Sequence, residues 1–567
     1  MKAWRIAQHK PAAPDKAREA HRHRGDVNMF EKQVAHIRTL TQSLQVCTGY
    51  QHEKGQIQNQ ADRYTAARLN PRRCLIHIKA LVLWAGYGNR QSDGDEHALN
   101  TAPIMETLDD LVIDPALIRK YDRAGPRYTS YPTADRFVEA FDTDAYAQWL
   151  GTRRLGGNRQ GLSLYVHLPF CDTICYYCGC NKVVTRDHGR AAQYLDYLGR
   201  EIALHADLLG SDRQIAQLHW GGGTPTFLSH DEMRWLMGQL RDQFDFDTDG
   251  EYAIEIDPRT VKEDTMARLA SLGFNRASLG VQDFDPGVQA AVNRVQSEAQ
   301  TLDVIDAARR AGFQSINIDL IYGLPRQTVT GFNRTLDRVI AANPDRIALY
   351  SYAHLPHLFK PQRRIVEAQL PTPDSKLQIL TLAIRRLTEA GYRYVGMDHF
   401  ARADDELAVA QRQGRLQRNF QGYSTRAESD LLAFGVSAIG AVGPTYYQNH
   451  RSLTDYYEAL NRNELPIMRG IELSADDLLR RSVIHALMCH FCLSMESVQI
   501  AHLIDFPAYF STELAELQDL QHDGLVEVRD GWIYVTARGR LLVRNIAMVF
   551  DRYLRDKALR AQYSRVI

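Results

Sequence analysis

The densest chemistry in the chain lies in Cys171-Asp172-Thr173-Ile174-Cys175-Tyr176-Tyr177-Cys178-Gly179-Cys180, where four of the eight cysteines fall within ten residues. Cys171, Cys175 and Cys178 have the spacing C-x3-C-x2-C. Three thiolates in one short loop can hold three irons of a cubane cluster and leave the fourth without a protein ligand. A structural metal site is closed, whereas a position left open is one that a substrate can occupy. Zinc would want a second cysteine pair far along the chain. The candidate for that pair, Cys489-His490-Phe491-Cys492, lies in an apolar, helix-like run, where cysteines pack as small hydrophobes. A disulfide framework suits short secreted chains, and the first residues here lack the apolar core of a signal peptide.

Something must hold that loop at an open edge. From residue 162 onward short β-rich runs alternate with amphipathic patterns. The runs 162–168, 215–220, 252–256, 276–281, 315–321 and 346–352 are predicted strands. Between them, 192–209, 229–244, 262–272, 297–311 and 328–342 have the period of helices with one buried face. Alternating βα units predict a parallel sheet with right-handed crossovers. Six units make a partial barrel, an incomplete form of the eightfold one, with its chemistry at the C-terminal strand ends.

Polar residues collect at those ends. Tyr165 leaves the first strand just before the cysteine loop. The second strand ends in Gly221-Gly222-Gly223-Thr224-Pro225, and successive glycines suit a place where something approaches the backbone closely. Glu255 faces inward on the alternation of the third strand, either as a ligand partner or in an ion pair with Arg259. Gln282 closes the fourth strand, and Arg294 beyond it can fork a carboxylate. Asp319 stands among Ile and Leu in the fifth, and a buried carboxylate without a partner is costly.

Acidic and basic residues number 68 each, which argues against a dedicated nucleic-acid binder. No apolar run approaches the roughly 20 residues of a membrane span. These features predict a reducing, cytoplasmic setting. Residues 1–104 are rich in Gln, His and Arg, show little periodicity, and read as a poorly ordered leader, with Met105 a candidate true start. The expected organisation is the leader, an arm over 105–160, the barrel over 161–374 and a mainly helical domain over 375–567. Near the end, Arg529-Asp530-Gly531 between two apolar runs predicts a hairpin, with helices over 511–522 and 539–553. This winged-helix-like end lacks a basic excess and reads as a packing or lid module.

The cysteine spacing resembles that of the radical S-adenosylmethionine (SAM) enzymes, whose open iron chelates the methionine moiety. The chain as a whole resembles one family among them, the oxygen-independent coproporphyrinogen III oxidases of haem synthesis. The likeness runs from about 118 to 567. It rests on Gly125-Pro126-Arg127-Tyr128-Thr129-Ser130-Tyr131-Pro132, the cysteine loop, the glycine run and Gly280-Val281-Gln282-Asp283-Phe284. It continues through Asn317-Ile318-Asp319-Leu320-Ile321-Tyr322-Gly323-Leu324-Pro325, Tyr352-Ala353-His354-Leu355-Pro356, Gly396-Met397-Asp398-His399-Phe400-Ala401, Asn419-Phe420-Gln421-Gly422-Tyr423 and Ser564-Arg565-Val566-Ile567.

The resemblance implies an α/β fold: a partial (βα)6 TIM-like radical SAM barrel with an N-terminal arm and a helical C-terminal domain. It implies one 4Fe–4S cluster on Cys171, Cys175 and Cys178, with Cys180 not a ligand, and two SAM molecules. Tyr165, Gly222 and Glu255 would contact the first. Tyr177, Gly223, Thr224, Gln282, Arg294, Asp319, Ala353 and Ile439 would contact the second. Cys180 and Tyr165 are the implied catalytic residues. The implied reaction decarboxylates two propionates of coproporphyrinogen III to vinyl groups, giving protoporphyrinogen IX. An electron donor such as flavodoxin or ferredoxin, a monomeric state, and no nucleic-acid or membrane partner complete the expectation. Two rivals stand beside it. One is a haem carrier, which by resemblance would have an aromatic residue at Cys180 and lack the 127–132 arm. The other is a further porphyrin-directed radical SAM enzyme, not expected to match 419–423 or 564–567.

Overall fold

A computed structural model describes residues 111–153, 161–426, 429–555 and 563. The leader over 1–104, the start at Met105 and the Ser564–Ile567 motif lie outside them.

Six parallel strands form as the alternation predicts: β1 (Leu162–Leu168), β2 (Gln214–Gly222), β3 (Asp245–Ile256), β4 (Arg276–Gln282), β5 (Ser315–Tyr322) and β6 (Arg346–Ser351), paired in that order. Helices Gly189–Leu209, His230–Gln243, Thr265–Ser271, Glu298–Arg310 and Val329–Ala342 connect them. Two of these begin in capping boxes, Ser229 with Glu232 and Ser297 with Gln300, each satisfying otherwise orphaned N–H groups. The last ends at Asn343 in the left-handed conformation.

The two faces of the sheet differ in character. In β5, Ile316, Ile318 and Leu320 are completely buried in the main hydrophobic core. The alternate positions, Asn317 and Asp319, face the other way. Gln217, His219, Glu255 and Ser278 share that inner face, as the cross-strand register requires. A closed barrel fills its interior with branched apolar side chains. Here the interior is lined with polar groups, so it is a place for a ligand.

After residue 375 the structure departs from the helix-rich expectation. The sheet continues through β7 (Tyr392–Gly396), β8 (His399–Arg402), β9 (Leu431–Phe434), β10 (Ile439–Val442), β11 (Thr445–Asn449) and β12 (Ile467–Glu472). The twelve strands run β12-β11-β10-β9-β1-β2-β3-β4-β5-β6-β8-β7. β9 is parallel to β1, and the added edges are antiparallel. These strands are four to six residues long and do not alternate one for one with helices, only Glu406–Arg412 and Leu453–Asn461 lying among them, so alternation does not reveal them.

Helices dominate from Ala475. The predicted hairpin is Val526–Arg529 and Trp532–Val535, with Asp530 and Gly531 at φ of 53° and 77° in its turn. The helix expected over 539–553 is shorter, Val543–Val549, flanked by 3-10 turns. This region has its own core, and Tyr121, Tyr128 and Tyr131 of the arm belong to it. Cys489 is 1% exposed against Val395 and Leu407, the small-hydrophobe role expected of it.

Candidate active site

The cysteine loop leaves the C-terminal end of β1. Neighbouring chain pins it: the Tyr176 amide donates to the Val292 carbonyl, Asn293 Nδ2 to the Ile174 carbonyl at 2.8 Å, and Gln362 Nε2 to the Tyr177 carbonyl at 3.0 Å. Cys171, Cys175, Cys178 and Cys180 are all free thiols. Among the described residues, no three His, Cys, Asp or Glu side chains converge as ligands of a single ion do. That disfavours zinc and is no objection to a cubane, in which each thiolate takes its own iron.

The surroundings of the sulfurs fit a thiolate-bound cluster. Thr224 Oγ1 donates to Cys171 Sγ at 3.5 Å, and the guanidiniums of Arg259 and Arg294 reach Cys175 Sγ at 3.6 Å each. Hydrogen bonds to ligand sulfur are one means by which a protein tunes an iron–sulfur centre. Burial pushes the Cys171 thiol up to about 11, with the Thr224 hydrogen bond offsetting part of the rise. Cys178 goes down to about 5, chiefly through its hydrogen bond with Cys180.

The glycine run is packed against protein. A Cβ on Gly222, whose φ is +110°, would lie 2.5 Å from the His167 ring, and one on Gly221 would lie 2.6 Å from Glu255 Oε1. The amides are also spent: Gly222 donates to Glu255 Oε2 at 3.1 Å, Gly223 to the Leu168 carbonyl and Thr224 to the Phe170 carbonyl. The close approach inferred from the sequence is therefore that of the protein's own backbone and His167.

Glu255 does not pair with Arg259. It holds His219 Nε2 at 3.2 Å and the Gly222 amide, with its side chain 43% exposed to the interior. Burial raises its pKa, but the hydrogen bond and charge of His219 outweigh that and keep the carboxyl below its ordinary range. Arg259 instead clamps Asp257 at 2.6 Å, and Arg294 Nη1 shares that carboxylate at 3.1 Å while its Nη2 donates to the Gly280 carbonyl at 2.7 Å. Gln282, at φ 68°, lies beside Arg294 over Gly280. Tyr177 is close enough to Arg294 for each to shift the other's titration.

Asp319 accepts from Asn317 Nδ2 at 2.8 Å and Ser278 Oγ at 3.1 Å. Burial first, then the charge of Glu255, lifts its carboxyl to about 6. Tyr165 donates to His167 Nδ1 at 3.1 Å, the ring's Nε2 facing the Asn181 carbonyl, and stacks on His219 at 5.9 Å. Ile439 shares Tyr165's row: Tyr165 pairs with Ala433, and the Leu431–Ala441 register sets Ile439 opposite Ala433. Ala353 lies two residues past β6. Sequence reasoning missed His167, His219 and Asp257. The signal was present for His219, which alternates in phase with Gln217 and Gly221 on β2.

A half-open parallel barrel, a polar interior and three free thiols on its first loop define a radical SAM enzyme. The radical SAM superfamily model matches residues 165–339, and the HemN C-terminal domain model matches 473–542. The oxygen-independent coproporphyrinogen III oxidases of Salmonella typhimurium and Escherichia coli are 52% and 51% identical over 454 residues, covering 80% of this chain and 98% of each relative. That of Pseudomonas aeruginosa is 51% identical over 462 residues, 81% of this chain and all of the relative. The solved structure of coproporphyrinogen III oxidase (HemN) from Escherichia coli, described as a radical SAM enzyme, superposes with a TM-score of 0.75 at 48% identity, covering 78% of this chain and 100% of that one. The chain belongs to the oxygen-independent coproporphyrinogen III oxidase family. Family membership brings a 4Fe–4S cluster and SAM.

Proposed function

We propose that this chain catalyses the oxygen-independent oxidative decarboxylation of coproporphyrinogen III to protoporphyrinogen IX. Each of two propionates loses a hydrogen atom from its β-carbon, then carbon dioxide and one electron, and becomes a vinyl group. The observation that carries the reading is the C-x3-C-x2-C loop of free thiols opening onto a polar barrel interior, in a chain half identical to the named oxidases.

Cys171, Cys175 and Cys178 would hold the cluster. Bound there, the cluster supplies the electron that cleaves SAM to methionine and a 5′-deoxyadenosyl radical. The protein's own work is to orient and shield this chemistry. Glu255, fixed by His219 and the Gly222 amide, presents an ionised carboxylate to the interior, suited to a cationic or hydroxyl-bearing part of a first SAM, with Tyr165 and Gly222 at its side. Thr224, Gly223, Tyr177, Gln282, Arg294, Asp319, Ala353 and Ile439 would serve a second SAM. Arg294 is already engaged by Asp257, so its contribution is a fixed positive field more than a free fork. Cys180 is exposed and lines, with Cys178, a cavity of about 290 Å3 beside the loop, where it would serve as a proton or hydrogen donor.

The natural donor would be a flavodoxin or ferredoxin, and the setting cytoplasmic. Among the described residues no helix is long and apolar enough to cross a membrane. The test of cofactor number is equilibrium binding of SAM to anaerobically reconstituted protein. Two molecules per chain support the reading. One molecule, retained in full by Asp319→Asn, overturns the second site.

A further inference from the structure

Arg418 is a buried cation whose charge meets no carboxylate among the described residues. Arg418 is 5% exposed, yet its Nε and Nη1 are buried with no hydrogen-bond partner, and among the described residues no carboxylate stands within ion-pair distance of it. It lies against Tyr423, 4.8 Å from the ring centroid, and also donates a side-chain hydrogen bond to that tyrosine. A buried guanidinium held by one neutral tyrosine, with two of its nitrogens unbonded, is costly for a fold. Unpartnered buried charge that persists marks a place where a ligand completes the pairing.

The neighbourhood says which ligand. Tyr423 lies edge-on to His399 at 5.4 Å, and His399 to Tyr350 at 5.9 Å. Arg127, from the arm, stands over the far end of this row, 5.7 Å from the Tyr350 ring, and is ion-paired to Asp398. Two guanidiniums thus bracket three rings. His399 adds a third buried unpartnered atom, Nδ1, and burial, then Arg418 and Arg127, holds its pKa down to about 3, so it stays neutral.

The row faces the barrel interior. Tyr350 occupies the inward phase of β6, and the charges of Asp319, Arg127 and Arg418 all act on its hydroxyl. Arg418 is carried by the hairpin Gln417–Asn419 and Gly422–Ser424, whose Ser424 Oγ donates to Gln217 Oε1 at 3.2 Å in the first half of β2. The cysteine loop leaves the opposite, C-terminal ends of the strands. The Arg418 hairpin therefore meets the interior at the end away from the thiols, whereas Tyr350, with Arg127 over it, lies toward the C-terminal end of β6. Arg544 is close to both guanidiniums but is occupied by the carbonyls of Gly125 and Pro126.

We propose that Arg418 and Arg127 bind carboxylates of the substrate, the propionates not undergoing reaction, with the Tyr350–His399–Tyr423 row against its pyrrole rings. This rests on the proposed substrate. The ligand class is a polycarboxylate macrocycle, and Arg418 is the residue that tells the free acid from an uncharged analogue.

The test uses the cluster-loaded enzyme with SAM, anaerobically, comparing wild type, Arg418→Met and Arg418→Lys. Arg418→Met should raise KM or Kd for coproporphyrinogen III by roughly 10- to 150-fold. Arg418→Lys should recover part of the loss, and cluster absorbance and the affinity for SAM, read without porphyrinogen, should report an intact cofactor site in both. Without porphyrinogen, Arg418→Met should melt no lower than wild type, because it removes an uncompensated charge. An unchanged Kd overturns the inference, as does a drop in ligand-free melting temperature with no change in Kd. Should the variant fail to fold, wild type alone decides: its Kd for the free acid must be far below that for the tetramethyl ester, and equal values overturn the inference. Wild type that binds coproporphyrinogen III through Arg418 but never converts it would sink the proposed reaction and leave the carboxylate site standing.

Discussion

Glu255 is the most exacting place to perturb the candidate site, because its environment is fully specified. Its Oε1 takes a hydrogen bond from His219 and its Oε2 one from the Gly222 amide, and the carboxyl is ionised at neutral pH. Glu255→Gln keeps the shape and one acceptor oxygen but turns the second into an NH2 that must face either the His219 ring or the Gly222 N–H. A hydrogen bond to a charged group contributes on the order of 1.5–3 kcal/mol. Loss of one such contact to SAM weakens binding roughly 10- to 150-fold at 1.4 kcal/mol per tenfold. Gly222 also stands against His167, so a looser Glu255 reaches Tyr165 through the His167 ring. The assay is equilibrium binding of SAM to reconstituted protein, with iron content and methionine release alongside. The expected variant has full iron, weakened SAM binding and little methionine. Wild-type affinity together with an intact cluster would refute the role given to Glu255.

Cys175→Ala should abolish cluster loading, since it leaves only two thiols of the C-x3-C-x2-C motif, and full iron after reconstitution would overturn the ligand assignment. Cys180→Ser should keep the cluster spectrum and lose most turnover; loss of the spectrum would make it a ligand, and full activity would make it a bystander. Asp319 titrates near 6 in the folded protein against an ordinary 3.8, so the folded state holds its proton more tightly. Stability from this group is complete below pH 3.8 and is lost as pH rises through 6, up to about 3 kcal/mol by linkage. Asp319→Asn should remove that fall in the cluster-free protein, which urea melts at pH 4 and pH 7 would show as a gap between variant and wild type that opens with pH.

The six parallel strands are legible in the sequence because each is buried on its helix-facing side and polar on the other, a pattern that Ile316-Asn317-Ile318-Asp319 displays openly. The flanking strands are not. Leu431–Phe434 is four residues buried throughout, and its place beside β1 depends on a contact about 270 residues away in sequence that no local pattern encodes. The candidate cluster cysteines and the inward carboxylates are legible from spacing and phase. The partner of each carboxylate is not, because His219 and Ser278 take their roles from cross-strand register, and that register follows the assembled sheet. The unpaired state of Arg418 is less legible still: it is a property of everything that fails to reach it.

The central claim is tested most directly by product analysis of the anaerobically reconstituted full chain given coproporphyrinogen III, SAM and a low-potential reductant. The account predicts protoporphyrinogen IX, with two 5′-deoxyadenosine molecules formed for each product. SAM cleavage with the porphyrinogen recovered intact, or tight haem binding with no decarboxylation, would contradict it.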